Sequence, residues 1–149
     1  MLAGTWLDST PEADAVARGA AVEQAAASLS FLIRGIARRR LMAATTVSPL
    51  LDISLSEGKL SIGGPDRDTY TTTVDGTPIH FQNARGQDTT LARTWIDGRL
   101  DVRAGREGSH RESTIRVSAD GQTMTMEVAI FNDRLAEPIR YLVTYTRQP

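Results

Sequence analysis

The sequence predicts a mainly β protein, an antiparallel up-and-down β-barrel of about ten strands with a helical segment between strands one and two. Three observations predict it. From Pro49 onward, short segments rich in Thr, Val, Ile and Tyr follow one another with no long break, the composition of strands. Glycine turns punctuate them at Glu57-Gly58, Asp75-Gly76, Arg85-Gly86, Asp97-Gly98 and Asp120-Gly121, supplying the positive φ that two-residue hairpins require. The stretch from about 11 to 45 is written differently, in alanine and leucine, and reads as helix.

The elements follow in order. Ala3 to Asp8 reads as a short first strand. Ser9-Thr10-Pro11-Glu12 then reads as a helix start, with a hydroxyl cap, a proline in the first turn and Glu12 three residues after Ser9. Ala15, Val22, Ala26, Leu29, Ile33 and Ile36 recur at spacings of three, four and seven, one apolar stripe that must lie against the β part. Two helices broken between Ala27 and Ser30, or one long bent helix, satisfy the pattern. The expected strands are Leu50 to Ser54, Lys59 to Gly63, Thr69 to Val74, Pro78 to Ala84, Thr89 to Ile96, Arg99 to Ala104, His110 to Ser118, Thr123 to Phe131 and Pro138 to Arg147. Short links between successive strands make a meander. Ten strands must hide two edges, and closing them into a barrel makes the first and last strands neighbours.

Composition excludes several classes. The chain has 149 residues, 40% hydrophobic and 23% charged, which suits one folded domain over residues 1–149. A net charge of −1 supplies no field for nucleic acid. No apolar run approaches the ~20 residues of a membrane span. There is no cysteine, hence no disulfide, zinc–thiolate site or cysteine nucleophile. Met1-Leu2-Ala3 runs straight into Gly4-Thr5-Trp6. The expectation is a periplasmic or secreted protein if a leader was removed, and a cytoplasmic one otherwise.

Gly4-Thr5-Trp6 resembles the Gly-x-Trp strand that opens lipocalins and intracellular fatty-acid-binding proteins, the calycin superfamily. The order of strand, helix-turn-helix and nine meander strands is similar to the fatty-acid-binding type. Tyr145-Thr146-Arg147 resembles the aromatic-x-Arg ending of that family, and Phe31 to Leu41 (FLIRGIARRRL), with the Asp-Gly-rich strands, resembles a group of bacterial lipocalin-like proteins. The resemblance implies a structural role for Trp6, packed across the closed end beneath Arg147. It also implies carriage of a small hydrophobic molecule, with the helices as lid. One departure bears on the ligand: the family's Arg-x-Tyr carboxylate anchor on the last strand is here Val143-x-Tyr145.

Alternation sorts the candidate interior. Leu91, Arg93 and Trp95 share one face, and Thr90, Ala92, Thr94 and Ile96 the other. If the first face is inward, Arg93 enters the barrel and needs a carboxylate, waters or an anionic ligand. If the second is inward, Arg93 is solvated and Trp95 sits near a rim. Met124 and Met126 share a face with Val128 and Ile130; Tyr141 and Tyr145 share one with Ile139 and Val143; Phe81 joins Ile79 and Asn83. Flexible methionines and hydroxyl-bearing rings suit an adaptable apolar pocket, and equally an ordinary packed core. The expected ligand-binding set is Phe81, Arg93, Trp95, Met124, Met126, Tyr141 and Tyr145.

His80 and His110 lie on different strands without metal-ligand spacing and read as surface strand residues, a haem ligand being the alternative for either; no metal site and no cofactor is expected. Arg38 to Arg40, with Arg34 one turn earlier, form a basic patch that meets an anionic head group or is a solvated helix end. Catalytic residues are not identifiable. The alternatives to carriage are a cyclase- or isomerase-type barrel enzyme, favoured by a buried ionisable cluster around Arg93, Glu127 or Tyr145, and a packed barrel acting through its surface.

Overall fold

A computed structural model describes residues 2–149; Met1, part of the reading of the chain's start, lies outside the described residues. The elements run β1 (Gly4–Asp8), α1 (Pro11–Ala27), α2 (Phe31–Ala44), β2 (Leu50–Ser56), β3 (Lys59–Gly64), β4 (Arg67–Thr73), β5 (Ile79–Gln82), β6 (Asp88–Ile96), β7 (Arg99–Arg106), β8 (Ser109–Val117), β9 (Thr123–Asn132) and β10 (Ile139–Arg147). The protein is thus mainly β, with ten antiparallel strands in a nearly closed barrel and two helices between β1 and β2.

All ten strands belong to one sheet, in the order β4-β3-β2-β1-β10-β9-β8-β7-β6-β5. β1 pairs with β10, Trp6 opposite Arg147, so the chain's two ends are neighbours as a closing meander requires. The ladder lacks one rung: β4 and β5 are not hydrogen-bonded to each other. Asp75-Gly76, expected as a hairpin turn, is instead a crossing. Gly76 N–H bonds Arg93 O and Trp95 N–H bonds Val74 O, both at 2.9 Å, beside an Asp75–Thr94 bridge. The chain after β4 therefore docks on β6 at one end of the seam and leaves the rest without main-chain pairing.

Antiparallel alternation places the end of β1 and the starts of β2, β4, β6, β8 and β10 at one end of the barrel. The helices leave β1 at Asp8 and return at Leu50, so they sit at that end. Val22 and Ala26 of α1 are buried, with Ala21 and Ala25 against the core. The expected stripe stops there. α2 buries no residue, and Ile33 and Ile36 are exposed together with Phe31 and Leu32. Arg34 donates to Ala27 O and Leu29 O, both at 3.3 Å, covering carbonyls that the end of α1 leaves open. Arg38 pairs with Glu23 at 2.6 Å. Much of the expected basic patch thus ties the two helices together.

The opposite end is sealed. Trp6 is fully buried and its indole N–H donates to Leu2 O at 2.9 Å. The Arg147 guanidinium lies 4.3 Å from the centre of the Trp6 ring, a cation–π contact of roughly 0.5–2 kcal/mol. It also donates to Gly121 O at 2.7 Å and Ala3 O at 2.6 Å. Gly4, at φ 144°, makes room for this group, because a Cβ there would collide with Arg147 Nη1. Gly4→Ala is therefore expected to lower stability by about 1–3 kcal/mol in urea unfolding; an unchanged midpoint would show that Arg147 moves aside freely.

Candidate functional site

Cross-strand register defines the barrel interior. One continuous row runs Ile79–Leu91–Ala104–Arg111–Ile130–Ile139. Two residues along, Arg93–Val102–Ser113–Val128–Tyr141 forms a second inward row, and Leu100–Ile115–Met126–Val143 a third. Leu100, Met124, Val143 and Tyr145 are almost completely buried, so the half of the barrel near Trp6 is packed core. Toward the helix end, on the β4 to β8 side, inward residues are only partly covered: Tyr70, Ile79, Phe81, Thr89, Ala104 and Arg111 all keep some contact with solvent. The less tightly covered part of the interior lies there.

Met124 and Met126 are both buried, Met124 in the packed half. Phe81 faces inward across the unpaired seam and packs on Tyr70, ring centres 4.4 Å apart and planes at 32°. Trp95 shares its alternation with Arg93, but at the far end of β6 it is 47% exposed, so it is corrected from the interior to the rim away from the helices. Tyr145 is buried and its hydroxyl donates to Ser48 O at 3.0 Å. The Tyr141 hydroxyl is buried and has no hydrogen-bond partner. Burial raises both phenols above the usual tyrosine range, so both are neutral donors near pH 7.

Arg93 faces inward and is 2% exposed. It is satisfied in a way that sequence reasoning missed. Nη1 crosses the seam and donates to Leu60 O at 2.9 Å, Tyr70 O at 3.0 Å and the Thr72 hydroxyl at 3.3 Å. Main-chain carbonyls of β3 and β4 take the place of a carboxylate. Its Nε remains buried without a partner. Burial, and then the Arg67 charge, pull its pKa down to about 10, so it stays a cation at neutral pH.

Two further arginines belong to this side of the barrel. Arg111 belongs to the inward row and its recorded hydrogen bond is a long one, Nη2 to Met126 Sδ at 3.9 Å. Alternation along His110 to Ser118 carried that signal. Arg67 follows a register shift between Ile62 and Gly64. Its Cγ lies 3.6 Å from where a Gly64 side chain would begin, on the inward side of β3. Arg67 is exposed to solvent, and desolvation and the Arg111 charge lower its pKa. No sequence signal marks that bulge beyond Gly63-Gly64.

Asp8 ends β1 opposite Tyr145, accepts the Thr10 N–H at 3.1 Å and lies near Asp14 and Arg18. Burial, then a hydrogen bond shared with Asp14, raises its pKa. Glu127 faces outward and pairs with Arg116 at 3.1 Å, which removes it from any buried ionisable cluster. His80 and His110 fall on one outward row, His80–Thr90–Gly105–His110, and line an outer depression of about 380 Å3. A second depression of about 310 Å3 lies beside Phe131. Neither is lined by Arg67, Arg93, Arg111 or a tyrosine. The unpartnered polar atoms, rather than these outer hollows, mark the candidate site.

Solved structures share this architecture. The fatty acid transporter REP1-NXSQ is 13% identical, with a TM-score of 0.58 over 99% of this chain and 96% of its own. A secretory abundant heat soluble protein of Ramazzottius varieornatus is 11% identical, with a TM-score of 0.61 over 99% and 95%. Fatty-acid-binding protein 1 of Echinococcus granulosus is 13% identical, with a TM-score of 0.56 over 99% and 98%. The likeness is one of fold, a ten-stranded antiparallel barrel with two helices after the first strand. No family model matches the chain, and no curated protein matches its sequence. No described helix is long and apolar enough to cross a membrane.

Two substitutions check the electrostatics of this barrel. Arg93→Met removes the hydrogen bonds across the seam and is expected to cost about 2–4 kcal/mol in urea unfolding; stability at or above wild type would show that the seam closes without them. For Asp8 the raised pKa means that the folded state holds its proton longer than the unfolded chain. Its ionisation therefore subtracts stability as pH rises through the unfolded value of 3.8 and up to the folded one. Asp8→Asn keeps an acceptor for Thr10 N–H, so its melting temperature should gain on wild type from pH 3 to pH 7, and a gain confined to pH 3 would reverse the assignment.

Proposed function

We propose that this chain binds a small amphipathic molecule inside its barrel, the apolar part against Met126, Val128, Ile130 and Phe81, the polar end toward Tyr141 and Arg111. The observation that carries this reading is the buried, unpartnered Tyr141 hydroxyl beside a guanidinium held only by a thioether. Buried polar groups without partners cost free energy, and an occupant with a polar end relieves that cost. Several structural neighbours are described as fatty-acid or lipid-binding proteins, which supports the same class. The likeness of Phe31 to Leu41 to bacterial lipocalin-like proteins belongs to this proposal too.

Binding works here by removing apolar ligand surface from water, at ~25 cal/mol per Å2, with a few polar contacts fixing orientation. The departure at Val143 has a structural counterpart. Val143 is fully buried in the packed half, and Arg111 enters the lumen from β8 instead. Titration with a fluorescent fatty-acid analogue should give saturable one-to-one binding, and Met126→Trp should weaken it at least five-fold by filling the space, with the melting temperature held. Absence of saturable binding by any single-chain amphiphile would overturn the proposal in favour of a barrel that acts through its surface.

A further inference from the structure

We propose that copies of this chain associate head to tail, the outward face of α2 in one copy seated on the closed end of the next. The proposal does not depend on what the barrel holds. It starts from two exposed apolar surfaces at opposite poles. On α2, Leu32 is 87% and Ile36 54% exposed; at the closed end Leu55 is 60%, Trp95 47% and Ile96 41% exposed. Clusters of this kind mark interaction surfaces.

The two poles carry opposite charge. Leu41 marks the side of α2 that meets the core. At about 100° per residue, Leu32 stands opposite Leu41, Ile36 and Arg39 lie within about 40° of Leu32, and Arg40 flanks them. α2 has four arginines and no acid. Arg34 and Arg38 are tied to α1, while Arg39 and Arg40 are exposed and have no ion pair or hydrogen bond among the described residues. The loops around that end mix signs, with Asp66 and Asp68 about Arg67, Glu107 beside Arg106, and Asp133 and Glu137 about Arg134, so the cationic surface is the face of α2 itself. The turns of the closed end carry Glu57, Asp75, Asp97 and Asp120, all exposed and none in an ion pair among the described residues. Hydrogen bonds from Thr73 and Thr77 hold the Asp75 carboxyl down to about 2, and those from Ser118 and Gln122 lower that of Asp120, so both are charged at neutral pH. Lys59 opposes them; Arg99 and Arg116 are paired with Asp101 and Glu127, and Arg147 lies on Trp6.

The dimensions match. Leu55 and Trp95 stand on strands three spacings apart, about 14 Å, across β3 and β4, with Trp95 N–H on Val74 O joining the last pair. The stripe from Leu32 to Arg40 is about 12 Å long. Pairing α2 with a second α2 would instead bring four unpaired arginines together with no acid between them. Because the complementary surfaces lie at opposite poles, the contact is heterologous and builds open chains rather than a closed dimer.

Analytical ultracentrifugation tests this. The weight-average mass of the wild type should rise with concentration past that of a dimer. The association constant should fall at least five-fold between about 0.05 and about 0.5 M salt, because exposed charges are screened. Trp95 reports the contact: its emission should shift to the blue on association, while Trp6, already buried, stays constant. Leu32→Gln with Arg39→Gln breaks one pole, and Leu55→Gln with Ile96→Gln the other, all at exposed positions, and circular dichroism checks that both variants keep the fold. Each should be monomeric alone. Mixed, they should form dimers and nothing larger, since each supplies the pole that the other lacks. Dimers of the second variant alone would show that α2 pairs with itself and overturn the inference. So would a wild type that stays monomeric at every concentration, including one that binds phosphatidylserine vesicles through α2 instead.

Discussion

A meander of ten strands has nine ladders to give and needs a tenth to close. Here the pairing of β1 with β10 uses the ends of the chain, and the missing ladder falls between β4 and β5 in the middle. Everything in the interior depends on how that seam is held. The main chain closes one stretch of it, through Val74, Asp75 and Gly76 on β6. Beyond that stretch two side-chain contacts take over. The Arg93 guanidinium reaches carbonyls on the far side, and the tilted rings of Tyr70 and Phe81 pack across. A cation is an expensive bolt in a low-dielectric interior. Carbonyl oxygens spare it the worst of that cost, since each keeps a second lone pair after its ladder bond.

Such a closure leaves a barrel with two unlike halves. Near Trp6 the inward rows meet face to face, and methionine, leucine, valine and isoleucine fill the volume. Near the helices a side-chain seam cannot pack as tightly as a ladder, and the inward residues from β4 to β8 keep contact with water. α1 covers the β10 side with small residues, Ala21, Val22, Ala25 and Ala26. α2 covers little: it is held to α1 by Arg34 and Arg38, Leu41 meets the core, and Phe31, Leu32, Ile33, Ile36 and Met42 are exposed. The opening beneath it and the seam beside it are therefore parts of one weakly packed region.

The order of elements was legible because each turn carries its own chemistry. Glu57-Gly58 and Asp97-Gly98 adopt positive φ at both residues, as their composition implies. Asp75-Gly76 is written with the same letters and does something else. Local composition specifies that a chain can turn, and the partner it meets afterwards is decided by distant strands. The interior was legible where alternation is strict, as in Met124 to Ile130 and Ile139 to Tyr145. It failed at Trp95, where parity is correct but the strand has run past the wall, and at Arg67, where a bulge resets parity. The helical stripe failed in the same way: periodicity shows that Ile33 and Ile36 share a face with Val22, and cannot show that α2 meets the barrel core through Leu41 and leaves both isoleucines exposed.

The arginines then divide by what surrounds them. Arg147 is held by Ala3 O, Gly121 O and the Trp6 ring; Arg34 by carbonyls at the end of α1; Arg93 by carbonyls across the seam. Each sits where a strand end, a helix end or an unpaired edge offers oxygen to a donor. These are structural cations, and the irregularities of the fold supply their counter-dipoles. Arg111 rises from regular ladder, and Arg67 stands at the bulge at Gly64, which also has Leu50 O and Asp66 beside it. Regular sheet offers a lumen nothing but side chains. An arginine that points inward from regular sheet, as Arg111 does, is thus unlike the arginines that hold the barrel together: its contact within the chain is the sulfur of Met126.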